Sequence, residues 1–509
     1  MISPNGAAMT YGALARSAQR LASALDERGV RPGDHVVLAL GNRPEFLEIW
    51  FALSLLGAVT VPIDPMEAGE RLRHVIADSD AAWLLAQPDS SACASGLGLS
   101  KTIRAVFSID TRLPGMPSPG VESLRELHDA APVRSYAPRR REDNVCSILY
   151  TSGSTGDPKG VIYSSRQYIE HARTFNELAR VTADDTFYTC LPLFHHSAAC
   201  LTTIGSLIAR SRMALSERFG ASTFWEEVGA TSSTLFHAIG SMLTALLAET
   251  PSDREKTHLV RIAISGGLTK ERLDEVQTRF GLQVAEVYGM TEIGLAIMNP
   301  KSSRRPGSLG VAVPYCEATI LRDDGAEAAA METGELVFRE REPGILFSGY
   351  YKRPELSAEF RRGGHLHTGD LAYKAGDGFF YFVDRKKDSL QRSGTLSSLA
   401  IESKLGRHPT IRGVAVVARP GGDGDDMLVA FVVIRPGASL TAEQFFMFAE
   451  QVLPGRAVPD YVEFLEDFPM TPTNKVRKSE LRARELSTAT ARRMRLLDQG
   501  RRSGPEPVF

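Results

Sequence analysis

The sequence predicts an α/β protein followed by a smaller α+β unit. Three observations point there. Helical and strand patterns alternate with short connections through the first hundred residues, short strands replace them around 315–350, and a separate strand and helix series fills 388–485. The charged run DRKKD (384–388) interrupts the apolar pattern before that last series. A chain of 509 residues is about three times a typical domain of roughly 150, so two or more domains with dry cores are expected.

The elements follow in order. Thr10 is placed to cap a helix whose apolar positions Leu14, Leu21, Ala22 and Leu25 recur at helical spacing, and Gly29 and Pro32 end it. HVVLAL (35–40) reads as a strand, 44–56 as a helix, VTVPI (59–63) as a strand, 67–77 as a helix and AAWLLA (81–86) as a strand. This order implies parallel strands under helices, with ligands at the strands' carboxyl ends. Residues 87–143, with a Pro-rich LPGMPSPG and the run RRRED, read as a surface excursion. CSILY (146–150) is again a strand, EATILR and GELVFR are short strands of an antiparallel sheet or small barrel, and FFYFVD (379–384) is one more. GVAVVARP, MLVAFVVIRP and a helix over 441–453 belong to the last series. The expected domains are 1–384 and 385–490, with a loose basic tail at 491–509.

Composition removes several function classes. At 43% hydrophobic and 24% charged, the chain is neither disordered nor fibrous. A net charge of −2 gives no electrostatic reason to expect nucleic acid or an anionic membrane as partner. The most apolar stretch, 49–61, is shorter than the ~20 residues of a membrane helix. Cysteines 93, 146, 190, 200 and 316 form no CxxC pair, and the N-terminus has no signal-peptide pattern, so a reducing cytoplasm is expected. Only 12 of the 59 basic residues are lysine, which makes each lysine worth questioning.

The strongest chemical signal is YTSGSTGDPKGV (150–161). Glycines and hydroxyl residues after a strand suit a phosphate cradle, because glycine lets backbone amides approach and hydroxyls donate to oxygens. It is not a Walker A loop, since Lys159 follows Pro158 and precedes Gly160, and this disfavours a P-loop ATPase. The string resembles the phosphate loop of the adenylate-forming ligases, the superfamily of acyl- and aryl-CoA synthetases, luciferases and peptide-synthetase adenylation domains. EVYGMTE (286–292) resembles the family's adenine and metal segment, RPGSLG (305–310) and TGELVFR (333–339) its connecting motifs, and HTGDLA (367–372) its ribose motif. DRKKD resembles its hinge and PMTPTNKVRKSEL (469–481) its C-terminal catalytic loop, so the resemblance spans about 10–486 in family order.

The resemblance implies a large N-terminal domain of stacked α/β sheets with a small β-barrel-like subdomain, and a small mobile C-terminal domain. It implies ATP-dependent activation of a carboxylic acid as its acyl adenylate, with pyrophosphate release. Because both reactants are anions, catalysis must supply positive charge and alignment. By resemblance Thr151, Ser152, Gly153, Ser154, Thr155, Gly156 and Lys159 hold the β- and γ-phosphates. Thr291 touches the α-phosphate and Glu292 holds Mg²⁺. Tyr288 stacks on adenine within the segment that also includes Glu286, Gly289 and Met290, and Gly267, Leu268 and Phe382 complete the base pocket. Asp370 and Arg385 bind the ribose. Lys475, in PTNK, bridges the carboxylate and the α-phosphate; Asn474 stands where glycine is commoner, and Lys478 is the weaker competitor. Lys387 occupies the hinge position.

The acid and its acceptor are less specified. LPLFHHSAA (191–199) resembles the stretch that carries the aromatic gate, which places His195 between the ATP and acid sites. Ala198, Ala199, Gly240, Gly266 and Gly294 would leave room, and His237 could add a polar contact. No Asp occurs from 187 to 252, against an α-amino acid substrate, and a medium-sized or aromatic carboxylic acid is expected. Gly394 suits a pantetheine passage, but Thr395 and Leu396 stand where relatives often have Glu and Asn. CoA is therefore the first expectation, with a carrier protein, an amine or nitrite as alternatives, and a nucleotide-binding pseudoenzyme as a reading from another class. The chain is expected to be a monomer or homodimer.

Overall fold

The computed structural model describes residues 1–88, 90, 102–109, 121–136, 143–151, 158–300, 302–392, 395–421, 425–470, 476–486 and 491–492. Two compact units emerge. The larger comprises Met1–Ala318 and Phe338–Leu366, the smaller Thr319–Val337 and His367–Phe509.

The larger unit is built on two seven-stranded sheets. The first contains β1 (His35–Ala39), β2 (Val59–Ile63), β3 (Trp83–Ala86), β4 (Ala105–Ser108), β5 (Val121–Ser123), β6 (Val145–Tyr150) and β7 (Gly160–Ser164), in the order β5-β4-β3-β1-β2-β6-β7. Its strands are parallel until β7, which returns antiparallel to β6. The Thr10 hydroxyl accepts from the Ala13 amide to start helix Tyr11–Glu27, as its sequence position predicts. Helix Pro44–Leu56 begins with proline in its first turn and ends on Gly57 at φ 76°, the left-handed cap that lets β2 follow at once. The region read as a surface excursion supplies β4, the edge strand β5 and helix Leu124–Ala130. Short edge strands take their order from the neighbouring ladder, so their own composition carried little signal.

The second sheet contains β8 (Thr186–Thr189), β9 (Arg212–Leu215), β10 (Leu235–His237), β11 (Ile262–Ser265), β12 (Gln283–Met290), β13 (Gly294–Met298) and β14 (Val311–Ala312), ordered β14-β13-β12-β11-β10-β8-β9. It is parallel from β9 to β12 and antiparallel beyond. Helix Ser165–Ala179, opened by a capping box between Ser164 and Gln167, links the two sheets. Its Tyr168 ring lies 5.4 Å from Trp50 and its Phe175 ring 5.8 Å from Phe187. Asn42, buried just after β1, donates to the carbonyls of Leu191 and Ser216 and accepts from the Leu193 amide. The carboxyl ends of β1, β8 and β9 are thereby tied at one place.

Five strands, β15 (Cys316–Leu321), β16 (Gly334–Glu340), β17 (Arg361–Arg362), β18 (His365–Lys374) and β19 (Phe380–Arg385), form the small β region, ordered β15-β16-β18-β17 with β19 beside β18. In the smaller unit, β20 (Leu390–Gln391) and β21 (Thr395–Leu396) pair briefly. β22 (Ile411–Pro420), β23 (Asp426–Ile434), β24 (Tyr461–Leu465) and β25 (Ala491–Arg492) make a four-stranded sheet. Helix Ala442–Val452 buries Phe445 and Ala449 against Val416, Ala430 and Val432. The four cysteines among the described residues are buried thiols outside any disulfide, and Cys93 lies outside the described residues. No described helix is long and apolar enough to cross a membrane.

Candidate active site

The strongest sequence motif sits on the β6–β7 hairpin. Tyr150 pairs with Gly160 at the ends of the two strands, and the Thr151 amide donates to the Lys159 carbonyl at 3.0 Å. The neck of the phosphate loop is therefore closed by its first and last expected ligands. Helix Gly69–Asp78 holds it from outside: Arg71 donates to the Thr151 carbonyl, His74 to the Pro158 carbonyl, and Asp78 accepts from the Tyr150 hydroxyl at 2.7 Å. Ser152, Gly153, Ser154, Thr155 and Gly156 lie outside the described residues.

A second segment converges on the neck. Residues 349–351 run beside β7, with the Tyr351 amide donating to the Gly160 carbonyl, and so deliver Tyr350. The Lys159 ammonium lies 5.4 Å from the centre of the Tyr350 ring, within cation–π range. The Tyr350 hydroxyl donates to Oε1 of Glu292 at 3.0 Å. Glu292 is only 8% exposed, so the expected metal carboxylate is presented from a largely dry wall. Its neighbour Thr291 is fixed through its backbone, whose carbonyl accepts from the buried Tyr163 hydroxyl at 2.6 Å. The sequence reading missed both tyrosines.

β12 carries the rest of EVYGMTE to the same place. A register shift at Tyr288 and Gly289 breaks the β12–β13 ladder, and a side chain on Gly289 would begin 1.8 Å from the Gly294 carbonyl oxygen. Tyr288 is nearly buried and stacks 6.0 Å from Phe338, while Met290 ends the strand. Glu286 is buried and accepts from the Gly307 amide at 2.9 Å; desolvation pushes its carboxyl up to about 8. Gly266, Gly267 and Leu268 follow β11, and Gly240 follows β10. A Cβ on Gly240 would stand 2.8 Å from the Gly267 carbonyl oxygen, and one on Gly266 2.7 Å from that of Val287. The small residues expected around base and acid are thus where adjacent parallel strands end and their backbones touch.

Histidines line the other side. His195, half-buried, packs 4.8 Å from the Phe194 ring, and its carbonyl accepts from the Ala199 amide at the start of π-helix Ser197–Ile204, which buries Ala198 and Ala199. His237 is buried between Phe175 and Phe187 with Nδ1 3.3 Å from the Thr202 hydroxyl, and burial pushes it down to about 3. It stays neutral. His171 donates from Nε2 to the Ile345 carbonyl at 2.8 Å, and its Nδ1 lies 3.4 Å from Nε2 of His196.

In the smaller unit, Asp370 and Arg385 face one another across β18 and β19, with Nε 3.9 Å from Oδ1, so the two expected ribose ligands form one site. Phe382 lies half-buried on β19, opposite Ala372. Asp384 is buried and accepts from the amides of Arg385 and Ser398. Lys387 is exposed on the surface, yet desolvation first, then Arg385, lowers its ammonium below the usual range. Lys478 is committed to Glu402 at 2.6 Å and to the Ser398 hydroxyl at 2.7 Å. A lysine so engaged is a structural residue, which leaves Lys475 as the candidate of that loop. Lys475 and Gly394 lie outside the described residues.

The family model of the AMP-binding enzymes matches residues 1–351, and that of the AMP-binding enzyme C-terminal domain matches 400–475. The chain belongs to the AMP-binding enzyme family. This AMP-binding enzyme is an adenylate-forming ligase by superfamily, as its motifs imply. It is 31% identical over 482 residues to a crotonobetaine/carnitine–CoA ligase of Escherichia coli O1:K1, covering 93% of each chain. Among solved structures, ATP-bound MatB from Rhodopseudomonas palustris has a TM-score of 0.84 at 26% identity, covering 94% of both chains. The anthranilate CoA ligase AuaEII with anthranoyl-AMP has a TM-score of 0.86 at 23% identity, covering 95% of this AMP-binding enzyme and 93% of that chain, a likeness of fold.

Proposed function

We propose that the described site is where this AMP-forming CoA ligase joins a carboxylic acid to AMP. The protein activates the acid with ATP and passes the acyl group to CoA. In the first step an acid oxygen bonds to the α-phosphorus as the bond from that phosphorus to the bridging oxygen breaks, and pyrophosphate leaves. In the second the CoA thiol gives up its proton to solvent, its sulfur bonds to the acyl carbon, the bond from that carbon to the phosphate oxygen breaks, and AMP leaves.

The observation that carries this reading is the chain Lys159–Tyr350–Glu292, which puts a cation at the phosphate loop and a buried carboxylate on either side of one aromatic ring. Lys159 offsets charge on the outer phosphates, and Thr291, its backbone fixed by Tyr163, orients the α-phosphate. The carboxylate of Glu292 is a hard oxygen donor suited to Mg²⁺, which when bound neutralises phosphate charge. Asp370 and Arg385 hold the ribose, Tyr288 the adenine, and Lys475 the meeting anions, with Lys387 as the pivot between half-reactions. The acid is a medium-sized or aromatic carboxylic acid lying near His195, Ala198, Ala199, Gly240, Gly266 and Gly294.

Pyrophosphate release measured across a panel of carboxylic acids with ATP, followed by mass spectrometry of the CoA product, tests this. Acid-dependent pyrophosphate and an acyl-CoA are expected; release of orthophosphate, or no release with any acid, would remove the reading.

A further inference from the structure

Helix Gly69–Asp78 buries Leu72, Val75 and Ile76 along one side, while Arg71, His74 and Asp78 recur at helical spacing along another. Arg71 and His74 each hold one backbone carbonyl at the neck of the phosphate loop, those of Thr151 and Pro158. Asp78 differs, because each of its carboxylate oxygens takes a side chain. Oδ2 accepts from the Tyr150 hydroxyl at 2.7 Å and Oδ1 from Nη2 of Arg353 at 2.6 Å. The Asp78 side chain is only 8% exposed, so both bonds are made away from water, where a carboxylate is costly to leave without its donors. Burial first, then Asp78, holds the Tyr150 hydroxyl above its usual value, so it stays a donor.

Each partner of Asp78 leads to Lys159. Tyr150 pairs with Gly160 across the hairpin and its ring covers that glycine, since a Cβ on Gly160 would stand 3.1 Å from Cζ of Tyr150. The ring thus fixes the backbone immediately after Lys159. Arg353 lies three residues after Tyr350, whose own backbone is pinned to β7 by the 2.7 Å bond from the Tyr351 amide to the Gly160 carbonyl. The Tyr350 ring faces the Lys159 ammonium at 5.4 Å, and its hydroxyl donates to Glu292. One carboxylate therefore closes a circuit, through Tyr150 and Gly160 on one side and Arg353 and Tyr350 on the other. Asp80, two residues on, takes Lys352 and the Tyr351 hydroxyl, but its side chain is 48% exposed and the pair is solvated and weak.

Resting on the ligase reading above, we infer that Asp78 is a positioning residue of the adenylation step, which sets the Lys159 ammonium against the Tyr350–Glu292 pair by holding Tyr150 and Arg353 at once. It touches no reactant. Loosening either route lets the cation shift relative to the carboxylate, and a misplacement of about 1 Å at a reacting site is enough to cost a large factor in rate. The effect is confined to the half-reaction that uses ATP, because the outer phosphates have left before CoA attacks.

The test separates the two half-reactions in the full-length protein. Asp78→Ala should lower kcat/KM for MgATP in acid-dependent pyrophosphate release by about 10-fold or more, while pre-made adenylate reacts with CoA at the wild-type rate. Arg353→Met, which keeps the alkyl stem and breaks one route, should show the same split, and the double variant should be no worse than Asp78→Ala alone, since the two changes remove a shared bond. Asp78→Asn, still able to accept from Arg353 and to donate to the Tyr150 oxygen, should retain most of the activity. Asp80→Asn, which suits the left-handed backbone at φ 52°, is the control and should leave the ATP dependence unchanged. The Arg353 side chain is 39% exposed, so its variant keeps the test readable if Asp78→Ala folds poorly. Equal losses in both half-reactions would make Asp78 merely structural, and an unchanged ATP dependence in Asp78→Ala and Arg353→Met, or an equal loss in Asp80→Asn, would also overturn the inference. Absence of pyrophosphate with every acid in the wild-type protein would instead strike the ligase reading itself.

Discussion

The Tyr350 hydroxyl donates to Glu292 Oε1 at 3.0 Å while the ring of the same tyrosine faces the Lys159 ammonium at 5.4 Å. One side chain therefore touches both residues to which the proposed mechanism assigns the phosphate and metal contacts. Tyr350→Phe keeps the ring for Lys159 and deletes only the bond to the carboxylate. We expect pyrophosphate release to fall about 10-fold, with a higher Mg²⁺ requirement, as is typical when a partner of a metal-binding carboxylate is lost. Tyr350→Ala, which also removes the cation–π contact, should fall further. Titrating Mg²⁺ in the release assay checks both, and an unchanged Mg²⁺ curve in Tyr350→Phe would show that the hydroxyl has no such role.

Gly289 is needed because another backbone occupies the place of its side chain. With a Cβ 1.8 Å from the Gly294 oxygen, Gly289→Ala must push the β12–β13 turn apart and displace Thr291 and Glu292. A loss of about 3 kcal/mol or more in urea unfolding is expected, in the range of overpacked or strained core sites. Gly376→Ala, with nothing within 4 Å of the added carbon, should change stability little and serves as the control.

These cases show where sequence legibility stops. The residues of 150–161, 286–292 and 367–372 could be read because their chemistry is local: loop, strand end and turn carry it within a few positions. Tyr350 and Tyr163 could not, because they act through partners 58 and 128 residues away. Nothing local distinguishes a tyrosine whose hydroxyl meets a carboxylate from one that merely fills a core. The fold divides the same way. The first helix and the strands β1 and β2 followed from periodicity and caps, whereas β4 and β5 take their place from the edge of an existing ladder.

Glu286 gives the protein a signed pH dependence. Its carboxyl is raised by desolvation from 4.5 to about 8, so the folded chain holds a proton that the unfolded chain has lost between those values. Its contribution is fully present below the unfolded value and is lost as pH rises through about 8, so stability should decline across that window. Glu286→Gln, neutral at every pH and still able to accept from Gly307, should flatten the slope. Urea midpoints measured across the window decide it: equal slopes for variant and wild type would mean that Glu286 is ionised in the fold.

Lys478 and Lys475 are three positions apart in the sequence and should fail in opposite ways. Lys478 Nζ is held 2.6 Å from Glu402, with both side chains about 15% exposed, so Lys478→Met strands a buried carboxylate. A stability loss of about 3 kcal/mol is expected, because removing one partner of a buried pair leaves the other uncompensated. Adding Glu402→Gln should restore much of it, since the stranded charge, and not the missing contact, is the larger cost. Lys475→Ala should leave unfolding unchanged, yet cut adenylate formation by about 100-fold or more while sparing the reaction of pre-made adenylate with CoA. The comparison is decisive because both variants remove one ammonium from the same few residues. Were Lys478→Met to lose adenylation at unchanged stability, the catalytic charge would belong to Lys478 and the pair with Glu402 would be incidental.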